Sequence, residues 1–138
     1  MKRRRAREYA LQLLFQLNLT GDELSEEVLR DFWEGNDEEA DVKDFTHSIV
    51  QGTREHINAL DKIINNAAEH WSLDRMAVVD RNILRAAAYE LFYRPDIPPS
   101  VSINEAIEIA KKYSTEESAS FINGILDKIK KSSGEEQD

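Results

Sequence analysis

Met76-Ala77-Val78-Val79-Asp80-Arg81-Asn82-Ile83-Leu84-Arg85-Ala86-Ala87-Ala88-Tyr89-Glu90-Leu91-Phe92-Tyr93 is apolar nearly all the way round when wound at helical period. A helix on a protein surface carries one apolar stripe, whereas a helix that is apolar on every side is enclosed by others. The stretch therefore reads as the central, buried helix of a bundle. The rest of the chain is then expected to supply its neighbours.

On the C-terminal side, Pro95, Pro98 and Pro99 are the only prolines in the sequence, and they end the central helix. Ser102-Ile103-Asn104-Glu105 follows with the spacing of a capping box, a hydroxyl and a carboxylate three residues apart. Ala106, Ile107, Ile109, Ala110 and Tyr113 continue that helix. Ser114-Thr115-Glu116-Glu117 repeats the start signal, and Ala119, Phe121, Ile122, Ile125, Leu126 and Ile129 make the last helix. Residues 132–138 are polar and are expected to form a disordered tail.

On the N-terminal side, Ser72 can cap a short turn ahead of the central helix. Val42, Phe45, Ile49, Ile57, Leu60, Ile63, Ile64, Ala67 and Ala68 mark a long helical pattern reaching about His70, with a bend expected near Gly52. Gly35-Asn36-Asp37 is a loop, preceded by a weaker helix over about Ser25 to Trp33. From Arg4 to Asn18, Ala6, Ala10, Leu13, Leu14 and Leu17 form one apolar face. No strand alternation appears, and Asn123-Gly124 sits inside a helical pattern rather than between strands. The reading is an all-α, single-domain bundle of six or seven helices over residues 1–131.

The sequence contains no cysteine, which excludes disulfides, zinc fingers and thiol chemistry. No apolar run approaches the roughly 20 residues of a membrane span. The basic start leads into an amphipathic pattern rather than a signal peptide, and a cytoplasmic location is expected. Net charge is −9 over 138 residues, but the charge is unevenly placed. Lys2, Arg3, Arg4, Arg5 and Arg7 are five of the 18 basic residues, leaving 13 basic against 27 acidic in the remainder. A +5 tip on a −14 body suggests a basic arm for an anionic partner, and a solvated tail is the plainer alternative.

Searching for catalytic chemistry finds little. His47, His56 and His70 share no i, i+4 spacing, and Asp44-x-x-His47 has no second acid-x-x-His to complete a di-metal bundle site. No serine stands in a nucleophile-elbow context, and the five glycines form no phosphate-cradling loop. Glu105 and Glu108 share a helix face and read as solvated surface. No enzyme activity, metal or cofactor is expected. The arginines remain, because a planar guanidinium suits phosphate oxygens and can stack on splayed bases. Tyr9 and Phe15 lie near them, either available for contact or packed inside. Phe121 reads as core by periodicity, and Gly124 either admits a close approach or packs helices tightly.

Four stretches, taken together, resemble the bacterial transcription antitermination factor NusB family. They are Arg3-Arg4-Arg5-Ala6-Arg7-Glu8 leading into Ala10-Leu11-Gln12-Leu13-Leu14-Phe15, then Asp80-Arg81-Asn82-Ile83-Leu84-Arg85-Ala86-Ala87-Ala88-Tyr89-Glu90-Leu91, then Val101-Ser102-Ile103-Asn104-Glu105-Ala106-Ile107-Glu108-Ile109-Ala110-Lys111, and Phe121-Ile122-Asn123-Gly124-Ile125-Leu126-Asp127. The likeness runs from about Lys2 to Lys130. It implies two three-helix halves and a role in processive antitermination with RNA polymerase. It also implies binding of single-stranded boxA RNA jointly with ribosomal protein S10 (NusE), and weak self-association. By the same resemblance, RNA contact falls on Lys2, Arg3, Arg4, Arg5, Arg7, Glu117 and Phe121, and the S10 face on Phe15 and Asp80. Some members have tyrosine where this chain has Phe15. The alternatives are a NusB-like accessory domain in ribosomal RNA modification, whose catalytic domain is not expected here, or a purely protein-binding helical bundle.

Overall fold

The structure is a computed structural model that describes residues 2–69 and 71–137, with side chains given up to residue 132. Among the described residues there are seven α-helices and no strand: α1 (Lys2–Thr20), α2 (Glu26–Glu34), α3 (Ala40–Glu55), α4 (Ile57–Ala68), α5 (Val78–Tyr93), α6 (Pro99–Tyr113) and α7 (Glu116–Gln137), with a 3₁₀ turn over Leu73–Arg75. Helix α5 packs against α1, α3, α4, α6 and α7, the central position expected of it. Two apolar cores flank it. One joins Leu13, Leu14, Leu17, Ile49 and Val50 of α1 and α3, with α2 lying over them. The other gathers Leu60, Ile64, Leu84, Ile109, Ile122 and Leu126 from α4, α5, α6 and α7. The first half therefore has three helices, but the second uses four, with α5 serving both through Ala86 and Tyr89.

Helix boundaries follow local chemistry, with several corrections. Ser25 caps α2 by accepting the Val28 N–H at 3.2 Å. Thr115, not Ser114, caps α7 by accepting the Ser118 N–H at 3.0 Å. The Ser102–Glu105 capping box does not form: α6 begins three residues earlier at Pro99, whose fixed φ suits the first helical position. Ser102 and Glu105 then fall inside the helix and turn inward. Ser72 makes no side-chain cap. The bend expected near Gly52 falls at His56, where α3 ends and α4 begins. Gly124 is exposed, with open space where a Cβ would stand, so it does not serve tight helix packing. Helix α7 continues to Gln137, eight residues past Ile129, the last buried side chain among those described. Met1, His70 and Asp138 lie outside the described residues.

Over α1 and α3 sits an aromatic cluster. Tyr9 meets Trp33 edge-on at 5.0 Å between ring centroids and Phe32 at 6.1 Å. The Trp33 indole N–H donates to His47 Nε2 at 2.7 Å, which requires that nitrogen to be unprotonated. Burial lowers the His47 pKa. A group with a depressed folded-state pKa supports the fold fully above its unfolded value, near 6.5, and that support is lost as pH falls through the folded value. Wild type is therefore expected to lose denaturant stability between about pH 7 and pH 5, and His47→Gln, which still offers Trp33 an acceptor oxygen, to lose less. Equal losses in the two proteins would contradict the assignment.

Candidate nucleic-acid interface

The basic arm is the first turn and a half of α1, not a free tail. Each cation has a place. Lys2 Nζ lies 3.1 Å from Glu39 Oε2 and 3.1 Å from Asp41 Oδ2. Arg3 rests on the Phe45 ring, its guanidinium carbon 4.6 Å from the centroid. Arg4 donates through Nε to Glu105 Oε2 at 2.7 Å. Arg5 donates to Glu38 through Nε at 3.0 Å and Nη2 at 3.3 Å. Lys2, Arg3, Arg4 and Arg5 all retain exposed surface.

Arg7 is a correction to the sequence grouping. Its side chain is 6% exposed and donates a bidentate pair to Glu90, Nε at 2.9 Å and Nη2 at 2.8 Å. Arg7 Nη1 also lies 3.5 Å from Glu105 Oε1, and Ser102 Oγ donates to Glu90 Oε1 at 2.9 Å. The reason is helical phase: Arg7, Leu11 and Leu14 follow i, i+4, i+7, one inward stripe. Glu105, expected on solvated surface, is buried in the same network, while Glu108 is exposed. The guanidinium of Arg7 is thus committed to the seam between the two halves, and the surface cations of the arm are the other four.

Acid–base behaviour follows these contacts. Hydrogen bonds from Arg5 hold the Glu38 carboxyl below the usual carboxylate range, and those from Lys2 do the same to Asp41. Both shifts favour the docked arm above the ordinary carboxylate pKa, and that support is lost only as pH falls through the depressed values.

A second feature lies at the other end of α5, where Asp80 stands ten residues from Glu90, about 15 Å along the helix at 1.5 Å per residue. A groove of about 320 Å³ opens there between the 3₁₀ turn and the N-terminal ends of α5 and α7. Trp71, Arg75, Asp80, Glu117, Ser118 and Phe121 line it. Trp71 is 52% exposed and meets Phe121 edge-on at 6.4 Å. Phe121 packs partly against the core, as its periodicity predicts, while one side faces the groove. Asp80 is buried, with Oδ2 accepting from Ser118 Oγ at 2.8 Å and Oδ1 without a partner among the described residues. Phe15, half-buried on α1, takes no part in the groove. Trp71 and Arg75 were not singled out from sequence. A tryptophan four residues before an arginine, just ahead of the predicted central helix, was the available signal.

His47 is engaged by Trp33 and His56 stacks on Tyr93 at 3.9 Å. No helix among the described residues is long and apolar enough to cross a membrane.

The NusB family profile matches residues 4–131. The chain belongs to the NusB family. It is 51% identical to the transcription antitermination protein NusB of Thermodesulfovibrio yellowstonii, over 95% of this chain and 93% of that protein. It is 50% identical to NusB of Desulfitobacterium hafniense, over 94% of this chain and 88% of the relative. Among solved structures, T. maritima NusB superposes with a TM-score of 0.84 at 43% identity, covering 94% of this chain and 90% of that one. A crystal structure of antitermination factors NusB and NusE in complex with double-stranded RNA superposes with a TM-score of 0.85 at 30% identity, covering 95% of this chain and 97% of that one.

Proposed function

We propose that this chain is a non-catalytic, cytoplasmic antitermination factor that holds boxA of nascent ribosomal RNA together with ribosomal protein S10, within the RNA polymerase antitermination complex. The observation that carries this reading is the cluster of Lys2, Arg3, Arg4 and Arg5 on the surface of one helix end in a NusB-family protein of net charge −9. Residues 1–131 form the RNA-binding unit and 132–138 a polar tail. The groove supports joint binding, because Glu117 and Phe121, RNA residues by family resemblance, share it with Asp80, an S10 residue by the same resemblance. Phe15 and Leu19 stand one helical turn apart, Leu19 62% exposed, and offer an apolar face for S10 or for a weak homodimer.

The salt dependence of binding tests the arm. Four phosphate contacts on single-stranded RNA give a slope of log affinity against log salt no steeper than about −2.8, or roughly fiftyfold between 50 and 200 mM salt. Arg3→Ala with Arg5→Ala, which leaves Arg4 bracing Glu105, is expected to flatten the slope by about one unit. Anisotropy titrations with labelled boxA RNA measure it. Binding indifferent to salt, or unchanged by deletion of residues 2–5, refutes the arm as the RNA contact.

A further inference from the structure

Three of the arm's four surface cations, Lys2, Arg4 and Arg5, are already paired with carboxylates of this chain. Lys2 is held between Glu39 and Asp41, and Arg5 by Glu38, with Glu39 Oε2 a further 3.9 Å from Arg5 Nη2. The three carboxylates come from the end of the connection after α2 and the first turn of α3. Glu39 and Asp41 are 60% and 62% exposed, so their burial contributes little to the fold. Glu38 differs. Its carboxylate accepts from Tyr9 Oη at 3.1 Å and from the Glu39 backbone N–H at 3.2 Å, which fixes it against the Arg5 guanidinium.

A carboxylate and a phosphate offer the same pair of acceptor oxygens to a guanidinium fork. We propose that Glu38, Glu39 and Asp41 act as an internal stand-in for RNA phosphate, occupying Lys2 and Arg5 until RNA displaces them and thereby setting the affinity and selectivity of RNA binding. This rests on the RNA-binding reading above. Each displacement is an exchange: the phosphate releases a condensed cation, and the freed carboxylate attracts one back. Net counterion release per contact is therefore smaller than for an unpaired cation. A polyanion that offers charge alone gains little from such an exchange. An RNA that also makes contacts beyond the arm can offset the displacement, so the carboxylates suppress indiscriminate binding more than specific binding.

The test compares Glu38→Gln, Glu39→Gln, Asp41→Asn with a control of equal charge change, Glu23→Gln, Glu26→Gln, Glu27→Gln, at residues around the start of α2 that make no ion pair with the arm. Affinity is measured for boxA RNA and for oligouridine of the same length between 50 and 200 mM salt, the range in which phosphate contacts change affinity steeply. The arm variant is expected to bind about tenfold tighter at the low end, with the slope steeper by up to about 1.4 for two freed contacts. Oligouridine should gain at least as much as boxA RNA, so selectivity falls, and the control should change by less than about twofold. Should the triple variant not fold, Glu39→Gln with Asp41→Asn tests the claim at Lys2 alone, with about half the change in slope. Arm variant and control behaving alike, while wild type still binds through residues 2–5, overturns the stand-in and leaves the RNA reading intact. Wild type that binds neither RNA, or binds equally without residues 2–5, overturns the RNA reading and this inference with it.

Discussion

Arg7→Ala is expected to destabilise the protein by about 3–5 kcal/mol, because it leaves a buried carboxylate without its cation. Glu90 is 3% exposed and would keep only the Ser102 hydroxyl, and Glu105 would keep only Arg4. The loss should lower the melting temperature by on the order of 10 °C for a chain of this size. The same reasoning sets the compensating experiment. A buried pair replaced on both sides by apolar residues of similar volume is often neutral, since two desolvation penalties vanish with the attraction. Arg7→Met with Glu90→Leu should therefore recover most of what Arg7→Ala loses. A cavity of about 30 Å³ beside the pair, also lined by Asn82, Ser102 and Ile109, has room for water and would accept the changed shapes. Urea denaturation of the three proteins measures these quantities. A loss below about 1 kcal/mol for Arg7→Ala would match an exposed ion pair and contradict the buried geometry. Any RNA-binding defect of Arg7→Ala has to be read against this loss of stability.

The distinction between Arg7 and its neighbours marks where sequence reading runs out. Composition makes the five arm cations look alike, and only helical phase separates them. The sequence places Arg7 in phase with Leu11 and Leu14, beside the face read from Ala6, Ala10, Leu13, Leu14 and Leu17, but a cation on an apolar stripe declares itself buried only when its counter-charges are known. Those came from Glu90 and Glu105, more than 80 residues away in the chain. Ser102 and Glu105 misled for a related reason. A three-residue spacing marks a capping box, yet it equally puts two polar side chains on one helix face. Pro99 decided between the two by starting the helix earlier. The central position of α5 was legible because its evidence is local, the continuous apolarity of one stretch. The groove was not, because it joins Trp71, Asp80 and Phe121 from three separate segments. The carboxylates facing Lys2 and Arg5 were hidden in the same way, as ordinary acids at the start of α3.

Gly52→Ala should destabilise, although replacing glycine inside a helix ordinarily gains about 1 kcal/mol. Gly52 is buried within α3, where a Cβ would stand 2.0 Å from Tyr89 Cζ and 2.3 Å from Tyr89 Cε1 and Oη. Those distances are far inside van der Waals contact, so α3 and the ring could not keep their present separation. Tyr89 is not free to yield cheaply. Its ring stacks on Tyr93 at 5.6 Å and on His56 at 6.2 Å, and it packs against both apolar cores. Overpacking of this kind typically costs 1–3 kcal/mol, and Gly52→Val, with two further carbons, should reach about 3 kcal/mol or more. The bend read from Gly52 in the sequence is thus a close approach between the two halves, across the seam that Arg7 also spans. A double-mutant cycle isolates the cause, since only residues in contact couple strongly. In a Tyr89→Ala background the clash is absent and helix propensity remains, so adding Gly52→Ala should become neutral or stabilise by up to about 1 kcal/mol. The sign should reverse between the two backgrounds. Gly52→Ala that stabilises the wild-type protein, or that costs as much without the Tyr89 ring as with it, would show that the ring is not what keeps this position glycine.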